Sequence, residues 1–277
     1  FTNYMLPIIF FGKSLVFLTH DAYYESKSRN IPFRYRLAYK IFGTWAAKRA
    51  TRIMAISEFG KKELVDAYSI QPDRIAVNYL GVDSNKTNYP SPHPKDYILF
   101  VGQAFPRRHL KESLLAFEKI APRFPNLDFI AIGTDKYSPP VIENLVAEIN
   151  ERLGSGRITR RERVSDAELG SFYSHAKALI YISSKEAFGL PPLEALAHGT
   201  YPVVADNELS QEIFGDAAFM VSDPESVAEI SNALILALTD TAKQYRITAR
   251  REEILRGFNW PAHADRFLDI VRSIAHA

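Results

Sequence analysis

Short apolar runs rich in β-branched and aromatic residues alternate along the chain with longer stretches whose apolar positions recur at helical spacing. The runs are Leu15 to Leu18, Ile53 to Ile56, Ile75 to Tyr79, Ile98 to Val101, Phe129 to Ile132, Ala178 to Ile182 and Pro202 to Val204. Between them lie helical patterns such as Glu58 to Tyr68, Lys111 to Ala121, Val141 to Leu153 and Asp166 to His175. Apolar strands separated by helices predict a parallel sheet covered on both faces and joined by right-handed crossovers. Near the end, Phe258-Asn259-Trp260-Pro261 precedes the pattern Ala262 to Ala275. Its Phe267, Leu268, Ile270 and Val271 predict a packed terminal helix.

The rhythm breaks at Asp83 to Lys95 (DSNKTNYPSPHPK), where three prolines and many small polar residues suit neither a helix nor a central strand. This is the expected linker. It divides the chain into a partial unit over 1–83, a linker over 84–95, a complete doubly wound unit over 96–257 and a closing helix over 258–277, expected to cross back to the first unit. Only about three strands fall before the linker, and the chain carries no internal repeat or low-complexity tract.

Composition narrows the class. Apolar residues make up 47% of the 277 and charged residues 24%, with 34 basic against 32 acidic side chains for a net charge of +2. Such a chain buries a core and is neither disordered nor a polyelectrolyte. With no cysteine, thiol chemistry, disulfides and cysteine zinc sites are excluded. The apolar stretch Phe1 to Phe11 contains Asn3 and Pro7 and falls well short of a spanning helix, so it is read as neither signal peptide nor anchor.

Charge is uneven in one place. From Lys27 to Arg52 there are eight basic residues and no acidic one, interleaved with Phe33, Tyr35, Tyr39, Phe42 and Trp45. A helix there has two readings: a surface helix whose aromatics enter the core, or an interfacial helix lying on anionic lipid. Nucleic acid is not expected as a partner, because the rest of the chain is not basic. No D-x-D triplet and no His, Asp or Glu cluster with ligand spacing occurs, so no catalytic metal is expected. G-x-G-x-x-G and Walker sequences are also absent, leaving dinucleotide redox chemistry and ATP hydrolysis without support.

The segment with the most chemistry is Ser183 to Asp206, SSKEAFGLPPLEALAHGTYPVVAD. A strand runs into a loop holding Glu186, Gly189 and two prolines, then into a helix containing Glu194. Open α/β sheets bind ligands where strands lead into helix starts. A glycine there admits close approach to backbone N–H groups, and the helix start favours an anion such as a diphosphate. The prolines predict Glu194 in the first helical turn. Its carboxylate there either accepts from a vicinal diol or offsets the helix dipole, an effect of about 0.3–1 kcal/mol.

These residues closely resemble a family. Glu186 and Glu194, with seven residues between them, sit within EAFGLPPLEALAHGTYPVVAD as in the E-x7-E segment of the retaining glycosyltransferases of family 4. The resemblance extends to Thr19-His20-Asp21, Ala55 to Leu64 (AISEFGKKEL), Ile75 to Asp83 (IAVNYLGVD), Ile98 to Phe117 (ILFVGQAFPRRHLKESLLAF) and Phe258 to Trp260, in the family's order. It implies a GT-B fold, two Rossmann-like domains, here with the N-terminal domain truncated.

It also implies roles. Glu186 would face the donor sugar, Glu194 the nucleotide ribose, and the backbone N–H groups of Phe188, Gly189 and Leu190 the β-phosphate. After Gly102, Arg107 and Arg108 would hold the diphosphate, with Gln103 standing where some members have arginine. His20 would lie near donor and acceptor. Where relatives place an apolar strand and a glycine, this chain reads Ile158-Thr159-Arg160-Arg161-Glu162-Arg163, beside the expected base position. The implied reaction is retaining, metal-independent transfer of a hexose, mannose or glucose, from a nucleotide diphosphate sugar to a glycan, polysaccharide or lipid-linked acceptor. No cofactor is implied, the expected location is cytoplasmic with peripheral contact at the inner membrane face through 27–52, and the competing reading is a nucleotide-sugar binding module without turnover.

Overall fold

The computed structural model describes residues 1, 6–19, 32–83 and 90–276. Contacts divide the chain into two units. One comprises Phe1–Gly81, Glu186–Phe188 and Gly257–Ala277; the other comprises Val82–Lys185 and Gly189–Arg256.

In the first unit, β1 (Leu15–Phe17), β2 (Arg52–Ala55) and β3 (Ile75–Val77) form a parallel sheet in the order β1-β2-β3. The register pairs Val16 with Ile53 and Ile53 with Ile75, which puts these three on one face. That face packs with Leu6, Leu18, Ala46, Ala47 and Leu64. The other face carries Leu15, Phe17, Met54 and Ala76 against Ile270 and Ile274 of the terminal helix, Trp260–His276. Period-two alternation thus feeds two cores at once.

Two helices flank the strands of this unit, α1 (Phe33–Arg49) and α2 (Glu58–Tyr68). α1 buries only Gly43, Ala46 and Ala47, and a Cβ on Gly43 would stand 2.7 Å from the Tyr68 hydroxyl of α2. The aromatics of α1 divide between the two readings of this segment. Trp45 packs against the core, whereas Phe33 and Tyr35 are exposed together with Leu37 and Ile41. Residues 27–31 of the basic stretch lie outside the described residues.

The second unit has six parallel strands: β4 (Asp96–Val101), β5 (Leu127–Ile132), β6 (Ile158–Arg161), β7 (Ala178–Tyr181), β8 (Tyr201–Ala205) and β9 (Phe219–Val221). Their order is β6-β5-β4-β7-β8-β9. The chain winds outward from β4 in one direction and from β7 in the other, so the topology reverses between these two neighbours. The helices are α3 (Leu110–Ile120), α4 (Ile142–Arg152), α5 (Asp166–His175), α6 (Leu190–His198), α7 (Glu208–Phe214), α8 (Val227–Thr239) and α9 (Thr241–Gly257). α3 packs with α4 and α8, while α5 packs with α6, as right-handed crossovers on opposite faces require.

One sequence expectation changes here. Ile158 to Arg163 lacks the apolar strand that relatives place there, yet Ile158–Arg161 is the strand β6. It is an edge strand with Ile158 alone buried, and Asn150 of α4 holds it by bonding both the N–H and the C=O of Ile158 at 2.9 Å. An edge strand with one buried side chain needs no apolar run.

At the amino ends of the strands, Asp128 is 4% exposed and meets two cations, Arg157 Nε at 3.2 Å and Lys95 Nζ at 3.4 Å, and the His93 ring at Nε2, 2.8 Å away. Arg157, 8% exposed, also donates to the carbonyls of Leu127, Ala121 and Phe124. Buried charge is tolerated because each donor finds a partner. This cluster fastens residues 93–95, ahead of β4, to the sheet.

Candidate functional site

The carboxyl ends of β4 and β7 lie side by side at the reversal of the sheet, where a doubly wound fold leaves a crevice. β4 leads directly into Gly102, whose φ of +134° disfavours any side chain, and a Cβ there would stand 3.0 Å from Arg108 Nη1. The chain then makes a 3₁₀ turn, Pro106–Arg108, before His109 opens α3 in the left-handed conformation. This turn is sewn to the segment after β7: Ser184 N–H donates to the Arg107 carbonyl at 2.9 Å, and Arg107 Nε donates to the Lys185 carbonyl at 3.2 Å.

Carbonyls and ring faces hold both guanidinium groups, and for Arg107 these partners are neutral. Arg107 lies 4.3 Å above the centre of the Phe105 ring. Arg108 Nη1 donates to the Gln103 carbonyl at 3.1 Å, and its guanidinium lies 5.2 Å above the Tyr181 ring. Carbonyls and ring faces fix position without cancelling charge. The Arg107 charge in particular has no carboxylate within salt-bridge distance among the described residues, so its field is available to an anion. Phe105 and Tyr181, which supply the ring faces, were not among the expected site residues; an aromatic beside each arginine in sequence or across the sheet was the available signal.

Helix α6 begins at Leu190, with Gly189 as its cap at φ +82° and ψ +60°. Pro191 and Pro192 occupy the second and third positions and carry no N–H. The free donors at this helix start are therefore confined to Gly189 and Leu190, preceded by Phe188. Beginning the helix at Leu190 also corrects the expected place of Glu194. It is the fifth helical residue, in the second turn, and the first turn carries no acidic side chain. Offsetting the dipole end is then a poor account of it, because that effect fades within the first turn.

Glu194 is half-buried, and its Oε2 accepts a 2.6 Å hydrogen bond from the hydroxyl of Tyr173, near the end of α5. Burial, and after it the Glu194 charge, raises the Tyr173 phenol well above its ordinary value, so it remains a proton donor. Tyr173 was not anticipated, since its connection to Glu194 spans 21 residues of sequence.

Other expected residues fall elsewhere. Glu186 and Phe188 count with the first unit, where Ser57 Oγ donates to the Ala187 carbonyl at 3.3 Å. The Phe188 ring is buried beside Tyr79 and Phe258, with centroids at 6.4 and 5.8 Å. Phe258 opens the FNW sequence; Asn259 Oδ1 accepts from Ala262 N–H at 2.8 Å, and a Cβ on Gly81 would approach Trp260 N to 2.4 Å. His20 lies outside the described residues. Among the described residues no group of three or more His, Asp or Glu side chains could hold a metal ion.

A six-stranded parallel sheet with the glutamate segment at its reversal point defines a doubly wound α/β unit, and comparison with known proteins gives its family. The chain belongs to the glycosyl transferases group 1, whose family model matches residues 82–253, while residues 3–86 match glycosyltransferase family 4. It is 26% identical over 226 residues to the O-antigen chain mannosyltransferase RfbU of Salmonella typhimurium, covering 80% of this chain and 59% of that protein. To the O-antigen chain mannosyltransferase B of Escherichia coli it is 29% identical over 230 residues, covering 76% and 58%. The chain thus spans less than two thirds of either relative. The crystal structure of Anabaena HepE in complex with UDP and glucose superposes with a TM-score of 0.74 at 17% identity, covering 96% of this chain and 72% of that one, a likeness of fold. The fold class is GT-B, with Rossmann-like units.

Proposed function

We propose that this chain is a glycosyltransferase that moves a hexose from a nucleoside diphosphate sugar to a hydroxyl of a glycan, polysaccharide or lipid-linked acceptor, with retention and without a metal ion or cofactor. The observation that carries this reading is the Arg107–Arg108 pair, held by carbonyls and rings at the carboxyl end of β4. Departure of a nucleoside diphosphate builds negative charge, and cations already fixed in place stabilise it without reorganising. The N–H groups of Phe188, Gly189 and Leu190 take the β-phosphate, Glu194 the ribose, Glu186 the donor sugar, and His20 the space beside donor and acceptor.

In the proposed step the bond from the anomeric carbon to the diphosphate oxygen breaks and the acceptor oxygen bonds to the same face of that carbon. The acceptor proton passes to the departing diphosphate. A carboxylate nucleophile would instead need two carboxyl groups about 5 Å apart around the sugar, and neither Glu186 nor Glu194 is assigned that part. Two relatives are named mannosyltransferases of O-antigen chains, which favours mannose and a polysaccharide acceptor.

The test is transfer measured with UDP-, GDP- and ADP-hexoses against lipid-linked and glycan acceptors. Arg107→Ala is expected to lower the rate about 100-fold with the preferred donor. A second reading, a nucleotide-sugar binding module without turnover, is favoured by the 59% and 58% coverage of the relatives. It predicts nucleoside diphosphate binding with no sugar released from any donor.

No helix among the described residues is long and apolar enough to cross a membrane. Contact with a membrane surface, at the cytoplasmic face, is proposed for α1, where the exposed Phe33, Leu37 and Ile41 follow one another at four-residue spacing beside Arg34, Arg36 and Lys40. Cosedimentation with phosphatidylserine vesicles is expected to fall for Phe33→Ser/Leu37→Ser and to remain absent with neutral vesicles.

A further inference from the structure

We infer that Tyr173 is the positioning residue for Glu194: its buried phenol engages Oε2, so that Oε1 is aimed at the two hydroxyls of a ribose. This inference rests on the proposed role of Glu194 and adds the residue that orients it.

Tyr173 is 2% exposed and is held at three points. Its hydroxyl donates to Glu194 Oε2 at 2.6 Å. Its ring stacks on that of His198, with centroids at 5.5 Å and planes 29° apart. Its carbonyl accepts from the hydroxyl of Thr200. His198 is fixed in turn, with Nδ1 donating to the Glu194 carbonyl at 2.8 Å. The residues that grip Tyr173 are therefore Glu194, His198 and Thr200, all from the single stretch Glu194 to Thr200, and they grip it from α6 and the turn that follows.

A buried tyrosine needs a partner for its hydroxyl. A backbone carbonyl would serve that need, and Tyr97 shows it in the same unit by donating to the Phe172 carbonyl at 2.9 Å. Tyr173 instead meets a half-buried carboxylate, making a short charge-assisted bond. With Oε2 engaged, no hydrogen-bond partner for Oε1 is found among the described residues. A carboxylate pinned at one oxygen and open at the other has lost most of its rotational freedom before a ligand arrives. It can then accept from a vicinal diol without a further ordering cost.

The test compares UDP, GDP and ADP with their 2′-deoxy counterparts by calorimetry on the full chain. The wild-type protein is expected to bind its preferred ribonucleotide about 10-fold more tightly than the deoxy form, the equivalent of about 1.4 kcal/mol. Tyr173→Phe should weaken the ribonucleotide several-fold and leave the deoxynucleotide nearly unchanged, which narrows the ratio. His198→Ala, which loosens the ring without removing the hydroxyl, should narrow it less. In a Glu194→Ala background, Tyr173→Phe should change nothing further.

Because the ratio compares two ligands on one protein, a uniform loss of stability cancels. If Tyr173→Phe and His198→Ala both keep the wild-type ratio, Tyr173 is a core residue and the inference is overturned. If the wild-type protein itself fails to distinguish ribose from deoxyribose, it is the role of Glu194 that falls.

Discussion

Glu186 and Glu194 are separated by seven residues, yet the first counts with one unit of the fold and the second with the other. Their consequences should separate as well. Glu186→Ala is expected to lower transfer by about 100-fold while nucleoside diphosphate binding stays near the wild-type value, as for a group whose contact matters only in the transition state. Glu194→Ala should weaken nucleoside diphosphate binding itself by about 10-fold, the loss of one hydrogen bond to a charged group. Paired titrations and single-turnover assays measure both, and equal effects of the two substitutions would argue against these assignments. The glutamates, the arginines and Gly189 stand out because their spacing in sequence carries the pattern. Tyr173 does not, since its hydroxyl meets Glu194 from a neighbouring helix, nor do Phe105 and Tyr181, whose part is a ring face beneath an arginine.

The elements show a similar division. Glu58–Tyr68 and Asp166–His175 are helices over the lengths that their periodicity predicts, and both begin at a serine whose side chain accepts from the first turn. β6 escaped the pattern because an edge strand asks for one buried residue, and β9 (Phe219–Val221) was not among the apolar runs either. Ser57 has a double duty: its hydroxyl accepts from Gly60 N–H at 2.9 Å, capping α2, and donates to the Ala187 carbonyl. Ser57→Ala should cost about 1 kcal/mol in urea unfolding. It should also raise amide hydrogen exchange over residues 186–188, since that carbonyl contact goes with the cap; unchanged exchange there would mean the contact contributes nothing to local order.

For the whole molecule, the alternation of apolar runs and helical patterns predicted a doubly wound parallel sheet, and the six strands in the order β6-β5-β4-β7-β8-β9 form one; the order itself was not readable, because β6 and β9 were missing from those runs. How Asp128 would be neutralised was not readable, because His93, Lys95 and Arg157 reach it from separate segments. Asp128→Asn leaves a buried arginine without its counter-charge and is expected to destabilise the fold by about 3 kcal/mol, seen as a lowered urea midpoint. Nucleoside diphosphate affinity extrapolated to the folded fraction should be unaltered. The two rims of this one sheet therefore answer to different demands: the amino rim bears on how sturdy the protein is, while the carboxyl rim carries the proposed ligand site. A programme of directed evolution could draw its stabilising changes from around Asp128 and its changes of specificity from around Arg107, with little interference between the two.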